Sequence, residues 1–383
     1  MSTQTDLSWG DGIRSLHPDE FPQLDALLSD VFRPTLVEEY THFYTQKNSG
    51  NFRVVVENGQ VVSHIGTLRR YASILGCTVR VASLGGVATY EKHRGKGYAT
   101  ALLEDTERFC KTDGVDFMLV SGYRKMYHRY GCRYVGRDWN YKITAVQART
   151  IIDERLEISI AKPDDLSTLS AVYQQEPVRW LRPPSDFEYA LTGFIMNQEA
   201  YLLTVREGGL LQGYVILQKV KKQDKGQIKV LEFAGDRKCL LGALGQLVQN
   251  FELEAINLHV MGWDRILRKL LKERDLQGTP ANTSGTVTLI NFPQFMDRMR
   301  PNFIEVVGET ASDGLIFYER GNEKIFSYGG DQVIAPDRGT AVELIFGTRE
   351  RKEEKLLQSG GQAGEILREI FPIPGLWYGL NYV

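Results

Sequence analysis

The 383-residue sequence predicts an α+β fold with mixed β-sheets, divided into more than one domain. Three observations indicate this. Strand-like apolar runs follow one another between residues 52 and 89, a glycine-rich turn then leads into a helix-like segment, and similar elements recur after residue 150. The content of 42% hydrophobic and 25% charged residues is typical of a globular protein with a buried core. We expect three parts, covering residues 1–150, 151–283 and 284–383.

The first part opens with an antiparallel meander. Strands are predicted over residues 52–56, 61–74 and 77–89, and Asn58-Gly59 between the first two is typical of a tight hairpin turn. A helix with apolar side chains at helical spacing follows from Gly97 to about Thr112. The elements predicted after it are a strand over residues 116–121, a short helix over residues 123–130 and a strand over residues 132–134.

The turn Arg94-Gly95-Lys96-Gly97 separates the meander from this helix. Its two glycines allow the backbone to approach a ligand closely. The N terminus of the following helix directs unpaired N–H groups, and the positive end of the helix dipole, to the same place. The sequence therefore predicts an anion site here, and a pyrophosphate is the anion that we expect.

Two other phosphate-binding motifs fit these residues less well. A Walker-type loop requires a glycine five residues before the Gly-Lys pair and a Ser or Thr after it, but Tyr90 and Gly97 occupy those positions. A dinucleotide-binding turn shares Gly95-x-Gly97 and an acidic residue about 19 residues on, Asp116. However, Thr100 replaces its third glycine, and an antiparallel meander is not the strand context that this motif needs.

The turn resembles the motif R-x-x-G-x-A of the GNAT superfamily of acyl-CoA-dependent acyltransferases, with Arg94, Gly97 and Ala99 in the matching positions. The order of elements also agrees with that superfamily. The resemblance implies that acetyl-CoA is the co-substrate and lies where the strand before the turn splays from its neighbour. The residues implied to bind it are Val87, Ala88, Thr89, Arg94, Gly95, Lys96, Gly97, Tyr98 and Ala99. The alternatives are a plain buried strand for the first three and a solvated basic turn for Arg94 and Lys96; His93 is expected to be a surface residue.

The second part repeats features of the first. A strand, a Pro-Asp pair and an apolar helix occur over residues 156–173, as they do over residues 13–32, which indicates an internal duplication. Strands and a helix between residues 200 and 260 mirror the order of the first part. No glycine pair follows the strand that ends near Gly235, so we expect a degenerate acyltransferase-like domain that does not bind CoA. An unrelated α+β domain is the alternative.

The third part is predicted to begin after a linker over residues 278–285, which is rich in turn formers. A hairpin is expected about Gly321-Asn322, with helices over residues 340–346 and 363–370. The last residues, 371–383, are too apolar and aromatic for a frayed terminus, and we expect them to be buried.

The three-part layout resembles the Eis-like (enhanced intracellular survival) acetyltransferases, which have an active GNAT domain, a degenerate second one and a sterol-carrier-protein-like C-terminal domain. In that family a tyrosine in an I-Y-x-R-F-G-Y-like segment is the catalytic acid. Residues 126–132 match the segment with Tyr127 in place, Tyr130 replacing the Phe and Cys132 replacing the last aromatic residue. The family's general base is its C-terminal carboxylate, which here belongs to Val383. The resemblance also implies a homo-oligomer, a trimer or hexamer, and amine acceptors that include aminoglycosides and other polyamines.

The chemistry of amine acylation is consistent with these two roles. Attack on a thioester requires a neutral nitrogen and releases a thiolate, so the site needs a proton acceptor and a proton donor. A phenol, with a reference pKa of about 10, suits the donor, and an ionised carboxylate suits the acceptor. The alternatives are an aromatic core residue for Tyr127, with Tyr123 in reserve as the acid, and a docked tail for Val383. For the whole chain they are a lipid or small-molecule carrier with a relic CoA site, and an acyltransferase that uses another acyl-CoA or a protein amine.

Composition and charge exclude other classes of function. A formal net charge of −2 gives no overall attraction to nucleic acid. No apolar run is long enough to span a membrane, and residues 1–9 lack the features of a signal peptide, so we expect a cytoplasmic protein. The 4 cysteines and 6 histidines are scattered without C-x-x-C or H-E-x-x-H spacing, which predicts neither a disulfide framework nor a metal site.

Overall fold

The computed structural model of the protein describes residues 11–122, 124–220 and 226–383, so the predictions for residues 1–9 and for Tyr123 lie outside the described residues. The strands are β1 (Gly12–Ser15), β2 (Phe52–Glu57), β3 (Gln60–Ile74), β4 (Cys77–Thr89), β5 (Phe117–Val120), β6 (Asp138–Thr144), β7 (Leu156–Ile160), β8 (Val178–Trp180), β9 (Phe194–Ile195), β10 (Gln198–Glu207), β11 (Leu210–Gln218), β12 (Gln227–Gly235), β13 (Ala255–Val260), β14 (Gly278–Ala281), β15 (Thr286–Leu289), β16 (Ile316–Arg320), β17 (Glu323–Tyr328) and β18 (Asp331–Ala335). The α-helices are α1 (Phe21–Val31), α2 (Leu36–Glu39), α3 (Tyr98–Thr112), α4 (Lys125–Arg129), α5 (Ala145–Ala148), α6 (Leu166–Tyr173), α7 (Pro184–Ala190), α8 (Arg237–Asn250), α9 (Arg265–Lys272), α10 (Phe292–Arg298), α11 (Arg300–Val307), α12 (Glu309–Gly314), α13 (Arg338–Phe346), α14 (Glu354–Gln358) and α15 (Gly361–Ile370).

The first sheet contains the predicted meander, which the structure confirms. Its strand order is β1-β2-β3-β4-β5-β15, with β8 added to β3. The hairpin between β2 and β3 turns at Asn58 and Gly59, both at positive φ, as the Asn-Gly pair indicates. Strands β1 to β4 pair antiparallel, whereas β4 and β5 pair parallel across helix α3.

Strands β4 and β5 separate before β4 ends. Their last paired residues are Leu84 and Val120, while β4 continues to Thr89. An irregularity in the β3–β4 pairing lies beside this point, and Gly86 there has φ +60°. A Cβ on Gly86 would come within 2.4 Å of the Tyr44 hydroxyl, so the position requires glycine. The end of β4 therefore presents one backbone edge to a gap, as expected from the GNAT resemblance.

The second sheet contains a similar separation. Its order is β14-β6-β13-β12-β11-β10-β7, and β12 pairs parallel with β13 only through residues 227–229 and 255–257. Trp377, from the C-terminal tail, lies between the two strands beyond that point. Its indole N–H donates to the Leu231 carbonyl at 2.6 Å, and its ring stacks on His259 with centroids 4.5 Å apart. A tail side chain thus fills the gap of this sheet.

Two strands pair in a sheet that belongs mainly to a different predicted part of the chain. β6 precedes residue 150 but belongs to the second sheet, and β15 follows residue 283 but extends the first sheet beside β5. The predicted linker over residues 278–285 is wrong in its first half, because β14 pairs with β6 there. The predicted strand over residues 132–134 is reduced to a single bridge between Arg133 and Val287. The domain boundaries at residues 150 and 283 stay predictions.

The C-terminal part contains the antiparallel sheet β16-β17-β18 and helices α10 to α15. The hairpin about Gly321-Asn322 and the helices near residues 340–346 and 363–370 are confirmed. A sterol-carrier-protein-like fold for this part stays a prediction. The tail after α15 is buried, with Ile373 and Leu380 fully inaccessible to solvent.

Other sequence expectations concern cysteines, metals and membranes. The four cysteines are free and buried. Within residues 11–122, 124–220 and 226–383, no group of three or more His, Cys, Asp or Glu side chains has the arrangement of a metal site. None of the helices in the same ranges combines the length and apolar character needed to cross a bilayer.

The buried imidazole of His64 predicts a loss of stability in weak acid. Its Nδ1 lies 2.7 Å from the Gly86 carbonyl oxygen, and burial lowers its pKa to about 4. In the unfolded chain, the same imidazole has the reference pKa of about 6.5. The contribution of His64 to the free energy of unfolding is therefore complete above that pH and is lost as the pH falls toward 4. We expect this one group to reduce the free energy of unfolding by about 2 kcal/mol between pH 7 and pH 5.

Urea denaturation at both pH values measures the effect. His64→Gln, which keeps a hydrogen-bond donor, should lower the pH dependence, whereas His128→Gln, at an exposed position, should leave it unchanged. Equal pH dependence in wild type and His64→Gln would contradict the prediction.

Candidate active site

The turn before α3 has the geometry of an anion site. Gly95 and Gly97 adopt φ values of +81° and +83°, and a Cβ placed on either would contact no atom within 4 Å. The glycines are therefore required by the backbone conformation and not by close packing. Gly97 is the N-cap of α3, and no side chain caps this helix end. Its first N–H groups and the helix dipole point toward the turn, which favours a bound phosphate.

A pocket of about 550 Å³ lies against the turn and the end of β4. It is lined by Val31, Val87, Thr89, His93, Arg94, Gly95, Gly97, Tyr98, Ala99, Thr100 and Arg124. Of the residues expected to bind CoA, all but Ala88 and Lys96 are on this lining. Arg124, from the segment before α4, is a cation that the motif did not predict.

The two exceptions have specific contacts elsewhere. The ammonium of Lys96 lies 3.1 Å from a carboxylate oxygen of Glu57, and Nδ1 of His93 lies 2.7 Å from the same carboxylate. The carbonyl of Ala88 accepts a hydrogen bond from Ser63 of β3 at 2.9 Å. Because successive residues of a strand direct their backbone groups to opposite sides, Val87 and Thr89 face the gap.

A second pocket, of about 180 Å³, adjoins the first. It is lined by Phe32, Arg33, Leu36, Tyr40, Tyr44, Leu84, Gly85, Gly86, Val87, Val120, Ser121, Gly122, Arg124, Tyr127, Asn197, Tyr382 and Val383. Val87 and Arg124 line both pockets, so the two form one groove. The groove runs from the glycine-rich turn to a chamber that contains both predicted catalytic groups.

Tyr127 lies on α4 and is only 3% exposed. Its ring packs over Gly122, where a Cβ would come within 2.8 Å of a ring carbon. Burial raises the pKa of the Tyr127 phenol above its ordinary value, and the nearby Arg124 guanidinium opposes part of this rise. The phenol is therefore protonated at neutral pH and able to donate a proton.

Val383 also lines the chamber. Its carboxyl carbon lies 2.9 Å from the position that a Cβ would take on Gly85, so the chain terminus packs directly on β4. The residue is 9% exposed. Only a glycine at position 85 allows this close approach.

The tail that carries Val383 is fixed by a buried ionic network. The guanidinium of Arg182 donates to both oxygens of Glu232 at 2.6 and 2.7 Å, and its Nε donates to Asn381 at 2.7 Å. Glu232 also accepts from the N–H of Leu380 at 3.1 Å, and the Asn381 amide donates to Asp186 at 3.0 Å. No sequence motif predicted this network; its one local signal is Glu232, a charged residue that is buried in strand β12.

The motifs did not predict the aromatic wall of the chamber, either. It consists of Phe32, Leu36, Tyr40 and Tyr44, which recur every four residues, and of Tyr382. The side chain of Asn197, a residue at φ +61°, connects two of the tyrosines. Its Oδ1 accepts a hydrogen bond from the Tyr40 hydroxyl, and its Nδ2 donates to the Tyr382 hydroxyl at 3.1 Å.

Comparisons with known proteins identify the domain family of the first sheet and the similarity of the whole fold. Residues 12–135 match the sequence model of the acetyltransferase (GNAT) domain family. A search of curated proteins gives no significant match. Among solved structures, the fold is similar to a conserved protein of unknown function, a probable N-acyltransferase, from Enterococcus faecalis (TM-score 0.69, 14% identity, 97% of this chain and 98% of that one). A GCN5-related N-acetyltransferase from Anabaena variabilis (0.66, 14%, 94% and 97%) and Eis1 from Mycobacterium abscessus (0.63, 14%, 94% and 96%) are also similar.

The geometry of the turn predicts unequal roles for its two cations. Arg94 lines the pocket, whereas Lys96 is paired with Glu57. We expect Arg94→Ala to raise the dissociation constant for acetyl-CoA about tenfold, because a charge-assisted phosphate contact is lost. Lys96→Ala should raise it by no more than about twofold, since its charge is already neutralised.

Isothermal titration calorimetry with acetyl-CoA measures both effects. Lys92→Ala is the matched control, because Lys92 is exposed and does not line the pocket. Unchanged affinity in Arg94→Ala, or an equal loss in Arg94→Ala and Lys96→Ala, would contradict the prediction.

Proposed function

We propose that this chain, an acyltransferase with a GNAT domain over residues 12–135, is an N-acetyltransferase that transfers the acetyl group of acetyl-CoA to a small primary amine. The observation that carries the proposal is the continuous groove from the glycine-rich turn to the chamber containing Tyr127 and the Val383 carboxylate. A phosphate site at one end and a paired acid and base at the other match the requirements of direct acyl transfer from CoA.

CoA binding follows from the groove lining. The diphosphate lies on the turn, where Arg94 and the first N–H groups of α3 provide positive charge and donors. The Val87 carbonyl and the backbone of Thr89, which face the gap, hydrogen-bond the amides of the pantetheine arm, and the Val87 N–H is left for the thioester carbonyl. This places the thioester in the chamber beside Tyr127.

The acetyl group then moves by direct attack. The ammonium of the acceptor gives a proton to the Val383 carboxylate, directly or through water, and the neutral nitrogen attacks the thioester carbonyl carbon. The backbone N–H of Val87 stabilises the negative oxygen of the tetrahedral intermediate. When the carbon–sulfur bond breaks, the Tyr127 phenol donates its proton to the departing thiolate. The second proton of the acylated nitrogen then passes to the Tyr127 phenolate, directly or through water, and the Val383 carboxyl releases its proton to solvent, so both groups return to their starting states. The products are an acetamide and CoA with a free thiol.

A Tyr127→Phe substitution tests the acid. We expect kcat to fall by about a hundredfold with little change in acetyl-CoA affinity, because the ring is kept and only the proton donor is lost. The wild-type rate should not decline on the alkaline side until above about pH 10, since burial raises the pKa of Tyr127. The measurement is thiol release as a function of pH, with mass spectrometry of the acetylated amine.

Tyr130→Phe is the matched control for this test. Tyr130 lies three residues further on and does not line either pocket, so its variant should keep wild-type kcat. A Tyr127→Phe enzyme as active as Tyr130→Phe would remove the phenol from the mechanism.

Two changes at the chain end test the base. Val383→Ala keeps a terminal carboxylate in place, whereas deletion of Val383 withdraws it by one residue, about 3.4 Å. We expect the deletion to lower kcat at least tenfold while acetyl-CoA affinity is retained, and Val383→Ala to stay within about threefold of wild type. Steady-state kinetics and calorimetry check the two quantities separately. Undiminished turnover in the folded deletion variant would exclude the carboxylate.

A further inference from the structure

The walls of the chamber beyond the thioester indicate the chemical class of the acceptor, an inference that rests on the proposed function. Leu36, Tyr40 and Tyr44 are buried at 7%, 3% and 6% exposure, while Phe32 at the mouth is 44% exposed. The Tyr382 ring lies 6.4 Å from that of Tyr40. This wall therefore offers aromatic and aliphatic surface to a substrate that enters past Phe32.

The charges of the chamber are few. Among the described residues, its lining contains the guanidinium groups of Arg33 and Arg124 and the carboxylate of Val383, but no Asp or Glu. A polyamine requires several carboxylates, one for each ammonium that leaves water. The chamber supplies one.

Glu39, the acidic side chain that pairs with the lining residue Arg33, has all of its strong contacts within the protein. Both oxygens of Glu39 accept from Nε of Arg33, at 2.8 and 3.1 Å, and one also accepts from the Thr35 hydroxyl at 2.6 Å. This ion pair presents no net charge at the rim of the chamber. A second ammonium on the substrate would therefore meet a guanidinium, a neutralised pair or an aromatic wall.

We infer that the acceptor is a monoamine, a single primary amine on an aromatic or aliphatic body, and not a polyamine. Its ammonium pairs with the Val383 carboxylate, which then takes the proton. Its apolar body packs on Leu36, Tyr40 and Tyr44, where burial of hydrocarbon favours binding. The polyamine acceptors implied by the Eis-like resemblance do not fit this lining.

A pair of acceptors that differ in one charge tests the inference on the full-length protein. Hexylamine and 1,6-diaminohexane have the same chain length, and 2-phenylethylamine adds an aromatic body. With saturating acetyl-CoA, kcat/KM for hexylamine and for 2-phenylethylamine should each exceed that for 1,6-diaminohexane by at least about tenfold, the cost of one unpaired ammonium. Thiol release gives the rates, and mass spectrometry identifies the amides.

A variant at the mouth makes the test specific to this wall. Phe32→Glu adds a carboxylate at an exposed position, so it should lower the hexylamine to diaminohexane ratio at least about threefold. Val146→Glu is the matched control, because Val146 is 74% exposed and does not line the groove; it should leave the ratio unchanged.

The outcomes separate this inference from the proposed function. Equal or faster turnover of 1,6-diaminohexane by the wild type, or an unchanged ratio in folded Phe32→Glu, would overturn the inference and leave N-acetylation standing. If wild-type protein that binds acetyl-CoA acetylates none of the three amines, the proposed function fails and the inference fails with it.

Discussion

The position of the C-terminal tail is the constraint on which the site depends. Trp377 lies in the gap between the separated strands of the second sheet, and six residues later Val383 packs on Gly85 beside the gap of the first. Each sheet contains a pair of parallel strands that separate before they end. The gap of the second sheet holds the Trp377 indole, whose N–H donates to a strand carbonyl. The other gap leads to the groove. In the second sheet, a side chain of the protein thus hydrogen-bonds the exposed strand edge. We propose that the pantetheine arm of CoA does the same in the first sheet.

The buried pair of Arg182 and Glu232 fixes the tail between these two points. A buried ion pair gains little net stability, because the cost of removing both charges from water offsets their attraction. This pair also bonds Asn381 and the backbone of Leu380, so it favours one tail conformation over others. A Cβ on Gly379 would collide with the Glu232 carboxylate, which shows how closely the tail approaches. The network therefore acts on the position of the chain end more than on the stability of the fold.

Local patterns in the sequence predicted most of the fold. The Asn58-Gly59 hairpin, the glycine turn and helix α3 depend on neighbouring residues, and the family match over residues 12–135 confirms the GNAT resemblance. Contacts between distant segments were not predictable. Lys96 pairs with Glu57, 39 residues away, and β14 was mistaken for a linker because its partner β6 lies far back in the chain. Of the site, the motif indicated Tyr127, but the aromatic wall depends on how residues 32–44, around α2, pack together with the tail.

A terminal carboxylate has physical advantages as the base of such a site. An Asp or Glu side chain must be held in one rotamer, whereas the terminal carboxylate is attached to the backbone, whose path is already fixed by the bonds of Leu380 and Asn381. Its reference pKa, about 3.5, is below that of either side chain, so it stays ionised when an ammonium approaches. It is the only carboxylate among the described lining residues, and in the proposed mechanism it therefore also sets where that ammonium binds. In the mechanism that we propose, this single carboxylate is sufficient to orient a monoamine toward the thioester.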